Sequence, residues 1–269
     1  MPSVTWNKDK WDDTYQWPAN GDEWSFAWGG AHAQWITCIW PRVSAFLPAS
    51  SVLEIAPGYG RWTQYLVPLS TTYTGVDLSQ SCVSACAERF ADQPQAAFAA
   101  NDGKTLPMIP DGSVDFIFSF DSLVHVEADI IGSYLREFSR VLSPDGVAFI
   151  HHSNAGAYHR TARLRDAVAT AAERLPDPRE ALSCAGLANW HKSRGRTMTA
   201  QRFAAMAAEA GLTCPGQEVI GWASPLLIDC MSTVTRPGSR WDRTPARSQN
   251  RYFWTAAFSA RAAAHAFQL

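Results

Sequence analysis

Two apolar runs, Val114 to Phe120 and Val147 to His152, lead into side chains that can move protons. Asp121 and His125 follow the first run, while His151, His152 and Asn154 end or follow the second. Both runs read as buried strands, and ligands of parallel α/β sheets bind beyond the strand C-termini, so these groups should converge on one rim. Imidazole titrates near neutrality, which suits a general base that deprotonates a hydroxyl. Consecutive strand residues face opposite ways, so only one of His151 and His152 can face the site. His152, nearer the strand end, is the expected base. His125 lies about one helical turn from Asp121, which predicts an Asp–His pair that orients the ring. The competing reading makes all three histidines hydrogen-bonded structural residues of the rim. A divalent metal is a rival use of Asp121, His125, His152 and Asp229, but magnesium sites are carboxylate-dominated and no pair of clustered carboxylates stands out. Mg2+, held by Asp121 and His152, is a secondary expectation with no firm ligand assigned.

The second constellation is Leu53-Glu54-Ile55-Ala56-Pro57-Gly58-Tyr59-Gly60-Arg61, an apolar strand running into a glycine loop and then a helix. Such a junction presents backbone N–H groups to a cofactor. A dinucleotide fingerprint needs a third small residue where Thr63 stands. Glu54, at the strand end, would repel a pyrophosphate and attract a cationic cofactor. Thr72 to Leu78 reads as a second strand, and its Asp77 falls near the roughly 20-residue spacing of a ribose-binding carboxylate. The bland alternative is a strand-to-helix turn whose glycines serve only backbone angles.

With these residues the chain resembles the class I S-adenosylmethionine-dependent methyltransferases, whose first motif is Glu/Asp-x-Gly-x-Gly-x-Gly. Here the motif runs from Glu54 to Gly60, with Ala56 in place of the first glycine. The resemblance implies S-adenosylmethionine as cofactor, held by Glu54, Ala56, Gly58, Gly60 and Arg61 of the loop and by Asp77 and Leu78 of the second strand. It further implies that Asp102 faces the adenine amino group, although Asp102-Gly103 also suits a plain turn. Gly103 and Phe120 complete the candidate cofactor set.

The elements that must position these groups follow from pattern. The implied fold class is α/β, a Rossmann-like, mostly parallel seven-stranded sheet with helices on both faces and an antiparallel last strand. Residues 1–50 read as a Trp-rich arm followed by a helix from Ala31 to Leu47 that Pro41 bends or divides. Residues 51–235 read as the cofactor-binding core, with a partly helical, Arg-rich lid insertion over 155–198. Gln217 to Trp222 and Leu226 to Thr235 read as the closing strand pair. Residues 236–269 read as a polar loop and an Ala-rich helix, a candidate for homodimer formation or for further cover.

Composition bounds the rest. With 46% hydrophobic and 18% charged residues in 269, the chain is expected to be one globular domain with additions. A net charge of −2, with no long basic run, argues against a nucleic-acid partner. The six cysteines form no C-x-x-C pair, and no apolar stretch approaches the roughly 20 residues of a membrane span, so a cytoplasmic protein with reduced thiols and no membrane partner is expected. The runs Phe118 to Val126 and Phe149 to Asn154 resemble bacterial methyltransferases of polysaccharide and methylated-glycan synthesis. That resemblance implies methylation of a sugar or short-oligosaccharide hydroxyl, with Trp190, Asn154 and Asp229 on the substrate. Aromatic platforms bind pyranose faces, and they also suit a planar natural product, which makes small-molecule O- or N-methylation the second reading. A non-catalytic cofactor-binding protein is the third.

Overall fold

The computed structural model describes residues 3–158, 194–222 and 226–267. Eight strands form one sheet: β1 (Ala49–Ile55), β2 (Ser70–Asp77), β3 (Ala96–Ala100), β4 (Val114–Ser119), β5 (Leu142–Ser153), β6 (Thr213–Ile220), β7 (Asp229–Thr235) and β8 (Ala246–Asn250). Their spatial order is β3-β2-β1-β4-β5-β7-β6-β8. Neighbours from β3 through to β5 are parallel, β7 is antiparallel to both β5 and β6, and β8 lies parallel to β6. The switch in strand order between β2-β1 and β1-β4 opens the crevice in which doubly wound sheets hold ligands.

The helices are α1 (Val4–Lys8), α2 (Ala31–Gln34), α3 (Trp40–Val43), α4 (Thr63–Leu66), α5 (Gln80–Arg89), α6 (Ala128–Val141), α7 (Ala200–Glu209) and α8 (Phe253–Phe267). Strand alternation sorts the interior into two layers. Leu53, Ile55, Ile117 and Ile150 point to one face and pack with Leu135 and Phe138 of α6 and Phe203 of α7. Val52, Phe116, Phe118 and Phe149 point to the other and pack with Trp35, Ile39 and the α8 residues Phe253 and Ala257. Each fully buried Phe or Leu contributes about 1.5–3 kcal/mol, so this two-sided burial is what holds the strand ends in register.

One expectation is corrected here, one is refined and one falls outside the described residues. The sheet has eight strands, because Ala246–Asn250 adds an edge strand that carries no apolar alternation; its side chains are mostly exposed, and Arg247 and Asn250 bond Gln217 and Glu218 of β6. The helix expected over Ala31 to Leu47, bent or divided at Pro41, runs as α2, a wide turn over Trp35–Ile39, α3 and a tight turn over Ser44–Phe46. Pro41, with no N–H to give and a ring that crowds the preceding turn, explains the break. Most of the expected lid, residues 159–193 with Trp190, lies outside the described residues, as does the connector 223–225. Among the described residues no helix is long and apolar enough to cross a membrane.

The amino-terminal arm, made of short helical turns over residues 4–14 and 22–28, is tied down by named contacts. The Asp12 carboxylate accepts from the Ser79 hydroxyl and from the backbone N–H (3.3 Å) and hydroxyl (3.1 Å) of Ser81, at the start of α5. These bonds outweigh the effect of burial and hold its pKa below the usual value. Asn7 Nδ2 donates to the His125 carbonyl at 3.0 Å, and the Trp17 ring stacks on Tyr59 with centroids 4.8 Å apart. The arm therefore spans the crevice from the β2 side to the β4 side.

Candidate functional site

The loop after β1 is shaped by backbone angles that few residues tolerate. Ala56, Gly58 and Gly60 have φ of +58°, +59° and +86°. Ala56 thus stands in the left-handed region with a Cβ, at a cost of about 1–2 kcal/mol. It is held there by its N–H to the Val76 carbonyl (2.7 Å) and by its own carbonyl, which accepts from the Ser122 hydroxyl at 3.0 Å. Gly58 is required for space as well, since a Cβ there would lie 2.8 Å from the Trp17 ring.

Asp77 closes the β2 end of this loop. Its Oδ2 accepts the Gly58 N–H at 3.0 Å and its Oδ1 accepts the Ser79 N–H at 2.9 Å. Burial pushes its pKa up to about 6 against the pull of these bonds. Each carboxylate oxygen keeps a second lone pair, so Asp77 can still accept from a ribose diol.

Loop, second strand and arm share one cavity of about 320 Å3. Ala56, Gly58, Asp77, Leu78 and Gly103 line one end of it, Phe120, Asp121, His125, Arg194 and Trp222 the other, and Arg61 reaches from the loop to Asp121. Trp6, Trp11, Trp17 and Trp24 of the arm wall the space between, with Lys10 and Asn7 beside them. A largely apolar, aromatic cavity with a few placed polar groups is the usual form of a small-molecule site.

The second end is built from paired charges. Asp121 has φ +62°, and its Oδ2 pairs with Arg61 Nη2 at 3.0 Å. The Asp121 N–H donates to His151 Nδ1 at 3.1 Å, so the neutral ring carries its proton on Nε2. That atom lies 3.7 Å from Asp229 Oδ2, an ion-pair distance rather than a hydrogen bond. Asp229 in turn receives Arg194 Nε at 3.0 Å and Nη2 at 2.9 Å. Burial alone would raise the Asp229 pKa, but Arg194 and His151 hold it below its usual value. The His151 ring packs between Phe120 and Trp222, at 4.6 and 5.1 Å.

Several expected site residues stand elsewhere. His152 is fully buried on the opposite face of β5, stacked on Phe203 at 4.1 Å, with Nε2 against the Ser232 hydroxyl and Nδ1 against the Ser153 carbonyl. Burial drives its pKa down to about 3. Strand alternation, which allowed either histidine, turns His151 rather than His152 toward the cavity wall, and it also places His152 where it cannot share a metal with Asp121. Among the described residues no group of three or more His, Cys, Asp or Glu side chains is placed to hold a metal ion.

Glu54 does not line the cavity: its Oε2 accepts from the Thr63 hydroxyl at 2.8 Å and the Tyr73 hydroxyl at 2.5 Å, and burial pushes its pKa up to about 7. Gly60 makes room for the Phe90 ring, 2.5 Å from where a Cβ would sit. Asp102 turns its carboxylate back onto the Lys104 and Thr105 N–H groups, the plain-turn alternative. Asn154 clamps the Leu227 carbonyl and the Ala200 N–H, and Asp229 lies behind Arg194, so neither reaches the cavity. Asp121 finds its ion-pair partner in Arg61.

Reading the sequence missed Lys10, Tyr134, Arg194 and Trp222, and it undervalued the arm tryptophans. Their density ahead of the glycine loop was the available signal; nothing in the sequence marked Arg194 apart from its neighbours.

Residues 52–146 match the family model described as a methyltransferase domain. The PH0226 protein from Pyrococcus horikoshii OT3 has a similar structure, with TM-score 0.55 and 17% identity over 85% of this chain and 95% of that one. An S-adenosylmethionine-dependent methyltransferase from Mesorhizobium loti is similar with TM-score 0.52 and 17% identity, over 76% and 98% of the two chains. No curated protein matches the chain in sequence. The fold is an α/β methyltransferase fold, residues 52–146 match a methyltransferase domain, and S-adenosylmethionine is the cofactor that such a domain implies.

Proposed function

We propose that this methyltransferase moves the methyl group of S-adenosylmethionine to an oxygen or nitrogen of a small acceptor with a flat face. The observation that carries the reading is the single cavity shared by Gly58 and Asp77 at one end and Asp121 and His125 at the other. The donor set suits the cofactor. Asp77 offers two lone pairs to a diol, and the Trp and Phe faces suit a sulfonium through their π clouds. When bound, the cofactor supplies an electrophilic methyl group.

The chain's own residues supply position and a proton acceptor. In-line displacement gains most from alignment and exclusion of water, which the arm tryptophans and Trp222 provide by enclosing the cavity. His125 is the proposed base for a hydroxyl acceptor. Its side chain lines the cavity beside Trp11, with centroids 5.8 Å apart, and Asn7 anchors its carbonyl. The Asp121 carboxylate, fixed by Arg61, stands at the same end to favour the imidazolium that forms. A sugar ring and an aromatic ring would both lie against these indoles, so the sugar reading draws on the arm only for a flat face.

The test is transfer of labelled methyl from S-adenosylmethionine to mono- and oligosaccharides, phenols and amines, with and without chelator. Label on one chemical class identifies the acceptor. Label on none of them, together with no S-adenosylmethionine binding, would remove the enzyme reading.

A further inference from the structure

Arg194 is the residue of the cavity wall that the reading above leaves without work. Its side chain is only 9% exposed, and it lines the cavity. Nε and Nη2 are spent on Asp229, and among the described residues nothing accepts from Nη1. A guanidinium is planar with five donors, so the edge away from Asp229 presents N–H groups that no described residue accepts. Leaving such donors unpaired when the cavity fills is unfavourable, so an occupant that accepts from them is favoured.

Its placement is built rather than incidental. A Cβ on Gly195 would lie 2.0 Å from the Val126 carbonyl, so only glycine lets this segment dock so closely. The Gly195 N–H donates to the Val124 carbonyl at 2.9 Å, and the Gly195 carbonyl accepts from the Ser153 hydroxyl at 2.7 Å. Glu127 accepts the N–H groups of Arg196 and Thr197 at 3.1 and 2.9 Å. Arg194 is thereby pinned beside the segment that carries His125. Behind it, Asp229 fixes the guanidinium plane by accepting from both Nε and Nη2.

The charge inventory then identifies what it awaits. Arg61 is balanced by Asp121 and Arg194 by Asp229, while Asp77 is met by backbone N–H groups. Lys10, half-buried on the arm, has no carboxylate partner among the described residues; its ammonium stands 5.7 Å from the Tyr15 centroid. The cavity thus holds an ammonium without a carboxylate partner on its arm wall and a guanidinium edge that no described residue accepts from. That combination fits a single negative charge spread over two oxygens better than a dianion, because Asp77 and Asp121 face the same cavity.

We infer that Arg194 anchors a carboxylate of the acceptor, with Lys10 balancing its charge, so that the molecule methylated is a flat hydroxylated or aminated acid. The inference rests on the methyltransferase reading for what happens next, but not for the binding itself. Asp229 acts as the positioning residue for this anchor.

The test titrates hydroxylated ring compounds into the full chain loaded with S-adenosylhomocysteine. Hydroxybenzoates, hydroxyphenylacetates and glucuronate are each compared with their carboxamides. The acids that bind should do so at least ~10-fold more tightly than their amides, since a charge-assisted pair is roughly twice as strong as a neutral one. Lys10→Met and Arg194→Met should each cut acid affinity by ~10-fold or more and leave S-adenosylhomocysteine affinity within about two-fold. Arg194→Lys keeps the charge opposite Asp229 but loses the fork, and should lose acid affinity without loss of fold. Equal binding of acids and amides, or no acid bound anywhere on the panel, would overturn the inference. Failure of S-adenosylhomocysteine to bind would strike the methyltransferase reading instead, and the acid–amide comparison is then read on the unloaded chain.

Discussion

The two ends of the cavity solve the same problem, holding polar groups in a dry place, by opposite means. At the β1–β2 end the backbone does the work. Positive-φ residues shape the loop, and one carboxylate, Asp77, accepts the Gly58 and Ser79 N–H groups. At the β4–β5 end side chains do it, through Arg61–Asp121, Asp121–His151 and Asp229–Arg194, all nearly or fully withdrawn from solvent. The first design is cheap because loop amides need partners anyway. The second is costly, since each buried ion must be matched, and networks of that kind are kept where geometry matters more than stability.

Breaking the charged end should have the largest effects. His125→Ala should lower turnover by roughly 10²–10⁴-fold while S-adenosylmethionine still binds, as loss of a general base does; steady-state rates with the acceptor found in the screen check this. Asp229→Ala leaves Arg194 buried without its partner and should cost about 3–5 kcal/mol of stability in urea unfolding. Glu218→Ala, which removes the partly exposed partner of Arg42, should cost only about 1 kcal/mol. If the two cost the same, the contrast between buried and exposed pairs fails.

Smaller effects belong to the backbone end. Glu54 has its pKa raised by burial, from 4.5 to about 7. The unfolded chain therefore ionises this group first, and its contribution to stability is lost as pH rises from about 4.5 to 7. Glu54→Gln should flatten that part of the curve and melt higher than wild type at pH 8, with little difference at pH 4. Ala56→Gly should stabilise by about 1 kcal/mol, because it removes a Cβ from the left-handed region. Thermal unfolding of the variant decides it, and a lower melting temperature would mean that the Ala56 conformation carries no strain.

The same contrast explains what could be read from the sequence. The glycine loop and Asp77 are written in local spacing, so their place was legible: Ala56, Gly58, Arg61, Asp77, Leu78 and Gly103 line the cavity, while Glu54, Gly60 and Asp102 do not. Glu54 was legible as a position but not as a direction; its carboxylate turns to Thr63 and Tyr73 because the α4 side of the sheet offers hydroxyls there. At the other end the period-two rule showed that one of two histidines would face the site, and only tertiary packing chose. Phe203 claimed His152, while Phe120 and Trp222 claimed His151. Arg194 was illegible because its partners, Asp229 and the segment Val124–Glu127, come from distant parts of the chain. The edge strand β8 was missed because it carries polar side chains and owes its place to backbone pairing with β6.

The account stands most directly on a calorimetric titration of S-adenosylmethionine into three proteins: wild type, Asp77→Asn and His125→Ala. Asp77 is expected to accept both diol hydroxyls, each such bond to a charged group being worth about 1.5–3 kcal/mol, so Asp77→Asn should weaken binding by ~100-fold or more. His125→Ala, at the acceptor end, should bind within about two-fold of wild type. Equal affinity in wild type and Asp77→Asn, or loss of binding in His125→Ala alone, would contradict the division of the cavity into a cofactor end and an acceptor end.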